Sequence, residues 1–146
     1  MTAYSFTDVA ATFVGPNGSA NLGYGAAVAN EGITIAMAGD KNTMNVGADG
    51  KVMHSKHADK SGHVTVRLQQ TSAINQVLMA IYDAQQSIDA VWGTNVIIVT
   101  QKQSGDITTC TSVAFKKKPD IKYEREGAVY EWQFDCGSID TTLGTY

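Results

Sequence analysis

Three histidines in one short segment are the residues whose types and spacing come nearest to a chemical site. His54 and His57 stand three positions apart, His63 follows them, and Asp59 lies between His57 and His63. This spacing can bring two imidazoles together on a turn, where a carboxylate could complete a zinc site. The surrounding Ser, Lys, Ala and Gly residues offer no evident partners to orient the rings. Solvent or subunit contacts are the favoured interpretation, and a small metal-dependent enzyme is the alternative.

Two cysteines and a lysine triplet are the remaining groups with chemical potential. Cys110 and Cys136 lie in strand-like runs far from any histidine, so no cysteine–histidine pair can be assembled. Buried free thiols are expected, with a disulfide as the alternative. The triplet from Lys116 to Lys118 precedes Pro119, a pattern that favours a solvated strand edge over a phosphate contact. We predict no catalytic residue, no metal and no cofactor.

The composition predicts one small β-rich domain over residues 1–146. Hydrophobic residues make up 43% of the chain and charged residues 17%, below the roughly 25% usual for globular proteins. With 14 glycines and few glutamates, the sequence favours strands and turns. The net charge of -3 argues against duplex DNA binding. No apolar run approaches a membrane span, and the amino terminus lacks the features of a secretory signal, so we expect a soluble intracellular product.

Alternating apolar residues predict most of the strands. We expect strands near residues 4–14, 63–69, 96–99, 108–116 and 128–136. The run 96–99 is apolar on both faces, which predicts a strand covered on both sides. The last strand divides most sharply into an apolar and a polar face. Its apolar face consists of Tyr130, Trp132, Phe134 and Cys136, and its opposite face of Val129, Glu131, Gln133 and Asp135.

A hairpin, a long excursion and one helix complete the predicted elements. Residues 33–37 and 44–46 form the hairpin, with the turn at 39–42. Residues 47–62 are polar and glycine-rich and form the excursion. The helix begins after Ser72 and ends at Gly93. Its apolar stripe consists of Ile74, Val77, Leu78, Ile81 and Ile88.

A carbohydrate-binding β-sandwich is a further hypothesis, supported only by the two tryptophans. Trp92 and Trp132 are the large aromatic rings that such a protein would present to a sugar. Trp132 lies on the apolar face of its strand, so we expect it in the core. This leaves the hypothesis with little support.

Several short segments of the sequence, in the order in which they occur, resemble a family of contractile-tailed bacteriophage structural proteins. They include AGDKNTM at 38–44, HADKSG at 57–62, VAFKK at 113–117 and FDC at 134–136. The resemblance covers roughly residues 4–140. It implies a tail tube subunit, with two packed antiparallel sheets forming a sandwich or partial barrel and one flanking helix. A baseplate ring or a tube-initiating ring of the same fold is the alternative.

The resemblance also implies partners and a location. Six copies close into a ring whose inner strands form a continuous barrel, and the rings stack through a long loop and the termini. A sheath lies outside, while a tape-measure protein and the passing DNA occupy the lumen. The protein is then a virion component assembled in the bacterial cytoplasm, and none of its residues is catalytic.

Two sets of residues are the predicted contact sites. The long loop at about 39–62 is expected to be ordered by neighbouring subunits. Its predicted interface residues are Asp40, Lys41, Asn42, Met44, Asp49, Lys51, Met53, His54, His57, Asp59 and Lys60. A lumen that DNA must cross is expected to be weakly negative, because a basic wall would hold the polyanion. Glu131, Gln133 and Asp135 are the lumen candidates, and the opposite orientation of that face stays open.

Overall fold

The computed structural model describes residues 3–146, which form strands, one α-helix and two short 3₁₀ turns. The strands are β1 (Val9–Gly15), β2 (Gly18–Asn21), β3 (Val28–Met37), β4 (Asn42–Val46), β5 (Val52–Lys56), β6 (Gly62–Gln69), β7 (Asn95–Gln101), β8 (Asp106–Lys117) and β9 (Val129–Thr142). The helix α1 spans Ile74–Gln86, and the 3₁₀ turns span Phe6–Asp8 and Asp89–Val91. The protein is mainly β, as predicted.

Seven of the strands form one antiparallel sheet in the order β2-β1-β7-β8-β9-β6-β3. β4 and β5 pair only with each other and form a separate two-stranded ribbon. The large sheet curls so that its two halves face each other. The ring of Phe13 on β1 lies 5.5 Å from that of Phe134 on β9, although two strands separate β1 from β9 in the sheet.

The sheet bends where Ser112 on β8 lies beside Gly137 on β9. Two outward residues follow each other in both strands at this point, Thr111–Ser112 in β8 and Gly137–Ser138 in β9. Ser112 has a positive φ of 52°, and the register between β7 and β8 shifts beside it. A β-bulge of this kind increases local twist and redirects side chains. Both strands therefore pass from one half of the curled sheet to the other without losing their inward apolar residues.

Aromatic rings fill the space between the two halves of the sheet. Phe115 is in contact with Phe13, Phe134 and Trp132, at ring-centre distances between 5.1 and 6.0 Å. Trp132 is fully buried, as expected, and its Nε1 donates to Asn75 Oδ1 at 3.1 Å. Buried side chains from β1, β6, β7, β8, β9 and α1 belong to the same cluster. The predicted inward face of β9 is confirmed.

Helix α1 covers β2 and is tied to β7 by a buried amide pair. Leu78 and Ile81 point into the core, as predicted from their spacing, whereas Val77 of the same predicted stripe is exposed. Gln85 Nε2 donates to Asn95 Oδ1 at 2.7 Å, and Asn95 Nδ2 donates to Gln85 Oε1 at 2.8 Å and to the Val113 carbonyl at 3.0 Å. This network leaves no room for a side chain at Gly15, whose Cβ would overlap Asn95 Oδ1.

Both predicted ends of the helix need correction. Ala73 is the N-cap residue, although Ser72 Oγ does accept a hydrogen bond from the Ile74 amide at 3.3 Å. The helix ends at Gln86 rather than at Gly93, because the chain turns at Ser87 and enters the second 3₁₀ turn. Ile88 therefore lies outside the helix. Within residues 3–146, no helix has the length and apolar character that a bilayer span requires.

The hairpin predicted between residues 33–37 and 44–46 is wrong. β3 pairs with β6, and β4 turns back on β5. The reversal lies at residues 47–50, where Gly50 has a φ of 84° and the Gly47 amide donates to the Lys51 carbonyl at 2.7 Å. Met44 and Val46 lie opposite His54 and Val52 of β5 and not opposite residues of β3. The polar character of residues 47–62 concealed this second strand.

The prediction that β7 is covered on both faces is also wrong for the single chain. Ile97 is fully buried, but Ile98 on the opposite face is 40% exposed. Val14 on the adjacent strand β1 is 45% exposed. Both residues lie on the outer face of β1 and β7, which no other described element covers.

We expect Gly137→Ala to lower the free energy of unfolding by about 1–3 kcal/mol, the usual cost of overpacking. A Cβ at residue 137 would lie 2.8 Å from the Ser112 Cβ, and neither backbone can move without opening the bend. Gly127→Ala is the matched control, because a Cβ there meets no atom within 4 Å among the described residues. Urea unfolding followed by tryptophan fluorescence measures both variants. Equal stability of the two would contradict a bend fixed by this contact.

Candidate assembly surfaces

The polar face of β9 carries the three residues predicted to line a lumen. Glu131, Gln133 and Asp135 point outward from the sheet, opposite Arg67, Thr65 and His63 of β6. Asp135 Oδ1 lies 2.8 Å from His63 Nδ1, and Glu131 Oε2 lies 3.7 Å from Arg67 Nε. The structure brings all three predicted residues together on one face, and it places a basic partner beside each carboxylate.

These pairs alter the electrostatics of the face rather than the stability of the fold. His63 and Asp135 are about half exposed, so their attraction is screened by water and is worth no more than about 1 kcal/mol. Gln133 Nε2 also donates to Glu131 Oε1 at 3.0 Å. The face is therefore polar, with Arg67 beside one carboxylate and His63, which is charged only when protonated, beside the other, where the sequence alone suggested a weakly negative wall.

The ribbon of β4 and β5 carries most of the predicted interface residues, and all of these residues are exposed. The exposed set is Asp40, Lys41, Asn42, Met44, Asp49, Lys51, Met53, His54, His57, Asp59 and Lys60. At the base of the ribbon, the His57 amide donates to the Lys41 carbonyl at 2.8 Å. Beside that base, the Ser61 amide donates to Asp59 Oδ1 at 2.8 Å, and this hydrogen-bonded turn lowers the pKa of Asp59.

The three histidines have separate partners. His54 Nδ1 lies 3.1 Å from Asn42 Nδ2, His57 Nε2 lies 2.7 Å from Thr43 Oγ1, and His63 pairs with Asp135. In the part of the chain that the structure describes, no three His, Cys, Asp or Glu side chains are grouped as metal ligands would be. The histidines therefore belong to two different surfaces, and the metal-enzyme hypothesis gains no support from their geometry.

The two cysteines are free and buried, as predicted. A hydrogen bond between the thiols lowers the pKa of Cys110. The same hydrogen bond, together with burial, raises the pKa of Cys136. A raised pKa keeps Cys136 protonated, and the lack of access to solvent protects both groups from reagents.

The basic triplet lies at an open edge of the sheet, as predicted. Lys116 and Lys117 are exposed at the end of β8, beyond the last residue that pairs with β7. Lys117 Nζ lies 3.5 Å from Asp120 Oδ1, an exposed pair that contributes little stability. A lysine-rich edge resists unwanted strand pairing.

Sequence reasoning missed the exposed apolar residues Val14, Ile98 and Ile107, which are between 40% and 47% exposed. They lie on the outer face of β1, β7 and β8. Their alternation was visible in the sequence, but a strand buried by its own chain and one buried by a neighbour have the same pattern. Large exposed apolar surface on a small protein is typical of a protein interface.

The described surfaces are thus a curled antiparallel sheet with open strand edges, apolar outer patches and a ribbon that pairs with no strand of that sheet. The family model of the bacteriophage PhiTE tail tube protein matches residues 1–144, and the chain belongs to this family. It is a structural protein of a phage tail. No curated protein matches the chain by sequence comparison.

Solved structures of contractile injection systems have the same fold. The sheath/tube terminator of the extracellular contractile injection system PVC, in its extended state, matches with a TM-score of 0.66 and 7% identity over 97% of this chain and 98% of its own. The tube-terminating cap of the anti-feeding prophage matches with a TM-score of 0.59 and 7% identity, over 99% and 93%. The PVC sheath-tube complex in its extended state contains a chain that matches at 0.55 and 8%, over 91% and 88%.

We expect a thiol reagent to leave Cys110 and Cys136 unmodified in the native protein and to modify both in denaturant. The reason is that both thiols are almost entirely buried, at 0% and 3% exposure. Intact-mass spectrometry after labelling counts the modified groups, and Val46→Cys, at an exposed position of β4, is the positive control. Rapid labelling of either native cysteine would contradict the packing around β8 and β9.

Proposed function

We propose that the chain is the tail tube subunit of a contractile-tailed phage. In this proposal six copies close into a ring, rings stack into the inner tube, and the genome leaves through the lumen. The observation that carries the proposal is the presence of two open strand edges, one along β3 and one at the end of β8, together with a ribbon that its own chain leaves uncovered. Family membership supports the general role, and these surfaces support the mode of assembly.

Ring closure is proposed to join the edge of β3 to the end of β8. Among residues 3–146, β3 has a strand partner only in β6. β8 pairs with β7 only as far as Val113, so residues 114–117 have β9 on one side and no strand on the other. Joining these edges between copies extends β8-β9-β6-β3 into a continuous barrel and removes both edges from solvent.

The lumen wall is then proposed to be the outward face of β9 and β6. Glu131, Gln133 and Asp135 would face the passing DNA. A basic wall would bind DNA by releasing its counterions, whereas a balanced or weakly negative wall has no such gain. The partners Arg67 and His63 offset the carboxylates without exceeding them, since His63 is charged only when protonated. This balance supports easy passage of a polyanion.

The remaining surfaces are assigned to other partners. The ribbon contacts the adjacent ring, since two strands alone are marginally stable in water and gain from a neighbour. The helix side of the domain lies opposite the proposed lumen and would face the sheath. A tape-measure protein occupies the lumen before DNA. The protein would thus be a virion component assembled in the host cytoplasm.

A second candidate function is a ring that ends or begins the tube. The TM-score of 0.66 with a sheath/tube terminator favours it. A terminating ring needs only one stacking surface, whereas a tube subunit needs two complementary ones. Electron microscopy of the purified wild-type protein separates the candidates, because long tubes support the tube subunit and isolated rings support a terminating or initiating ring. A monomer at high concentration would contradict both.

We expect replacement of residues 42–56 by a two-residue Gly-Ser turn to abolish tubes while leaving the domain folded. The backbone hydrogen bond between Lys41 and His57 already brings the two ends of the ribbon together. Because β4 and β5 pair with no strand of the large sheet, their loss should change the free energy of unfolding by no more than about 1 kcal/mol. Electron microscopy and urea unfolding measure the two effects.

The matched control for the ribbon replacement is Ala48→Ser with the ribbon intact, which keeps the turn at 47–50. This control should form tubes like the wild type. Normal tubes from the ribbon replacement would contradict its role in stacking, and an unfolded replacement would show that the ribbon is part of the folded core.

We expect Glu131→Lys with Asp135→Lys to produce tubes that retain DNA. Each change reverses a charge beside a basic partner, so the proposed wall becomes strongly basic and binds phosphate in a salt-dependent manner. The measurement is nuclease-protected duplex DNA after assembly in its presence. Asp83→Lys with Asp89→Lys, at exposed positions near the helix, makes the same change in charge elsewhere. Protection of DNA by this control alone would place the opposite face in the lumen.

A further inference from the structure

We propose that the apolar face of the β4–β5 ribbon of one copy docks in a cleft between β3 and β7 of a second copy. This inference rests on the proposed stacking of the chain and names the surface that receives the ribbon. The partner is a second copy of this chain, in a head-to-tail arrangement.

The ribbon has one apolar face that its own chain leaves uncovered. Val46 and Val52 are directly opposite each other, and Met44 is opposite His54, so these four side chains share a face. Met44, Val46 and Val52 are between 51% and 60% exposed. Three adjacent apolar residues on a two-stranded ribbon favour contact with another apolar surface.

The receiving surface is an open cleft of about 480 Å³ with a largely apolar lining. Its apolar walls are Phe6, Val9, Val28, Ile33, Ile35 and Val99. Gln101 also lines it, and the Gln101 Nε2 is buried without a hydrogen-bond partner among the described residues. A buried donor left unpaired is costly, so the polar groups of this lining are not fully satisfied within the single chain.

Charge distinguishes the ribbon from other occupants of the cleft. Glu31 and Asp106 line the cleft, and no basic residue is found in the described lining. Between Asn42 and Lys56 the ribbon carries two lysines, Lys51 and Lys56, against one aspartate, Asp49. The acidic cleft and the net positive ribbon have complementary charges, which favours contact between a ribbon and a cleft over contact between two clefts or two ribbons.

The positions of ribbon and cleft on β3 make the contact intermolecular. The ribbon leaves the sheet just after Met37, which pairs with Gly62 at one end of β3. Val28, at the other end of the strand, pairs with Leu68 and lines the cleft. Gly62 and Leu68 are six residues apart on β6, a distance of about 20 Å, and the apolar face of the ribbon stays exposed in the single chain instead of occupying its own cleft. A projection at one end and a receptor towards the other form a heterologous interface, which repeats into a filament.

The test is cross-linking between two variants, each carrying one added thiol. Val46→Cys is placed on the ribbon face and Asn30→Cys at the cleft, both at exposed positions. The native cysteines are buried and should not react. The two proteins are mixed during assembly and treated with a short bismaleimide. Val46→Cys mixed with Val77→Cys, on the exposed side of α1, is the matched control.

We expect the ribbon–cleft pair to give roughly tenfold more cross-linked dimer than the control pair, because docking raises the local concentration of the two thiols. Equal yields from both pairs, or tubes without the cross-link, would overturn the docking while leaving the tube proposal intact. A specific cross-link without rings or tubes would support the docking and overturn the tube. The absence of both polymer and cross-link would overturn both.

Discussion

The contact between Ser112 and Gly137 is the constraint on which the rest of the structure depends. It allows β8 and β9 to cross from one half of the sheet to the other while their apolar residues remain inside. Without that bend, a seven-stranded sheet would expose one of its faces to water. With it, the rings of Phe13 and Phe134 meet across the interior. Folding of a single sheet on itself thus supplies the core that two separate sheets would otherwise provide.

Two strand edges of the sheet remain open, one along β3 and one at the end of β8. β8 leaves β7 after Val113, so its last residues have a partner on one side only. Edge strands promote aggregation in most proteins and are blocked or covered. Here lysines limit pairing at the end of β8, yet the backbone there remains available to a specific partner. An edge that is protected by charge but not covered suits a protein whose interactions are with further copies of itself.

The distribution of charge fits such a role. Only 17% of the residues are charged, and on the face of β9 and β6 Arg67 lies beside Glu131 and His63 beside Asp135. Apolar residues on the outer faces of β1, β7 and the ribbon replace the charges that a monomer would normally display. The low proportion of charged residues therefore fits a chain in which much of the surface is available for subunit contacts. As a result, the isolated chain exposes more apolar side chains than a monomeric protein would carry.

The sequence by itself determined the inward face of β9, the existence of the helix and the polar face that carries Glu131 and Asp135, because alternation and helical spacing are local properties. Only the tertiary structure decided which strands pair. The hairpin expected at residues 33–46 was based on the turn residues at 39–42, whereas the chain reverses at residues 47–50. It also decided that Arg67 and His63 offset the carboxylates and that Gln101 lies at the cleft. Those contacts join residues distant in sequence, and no local pattern encodes them.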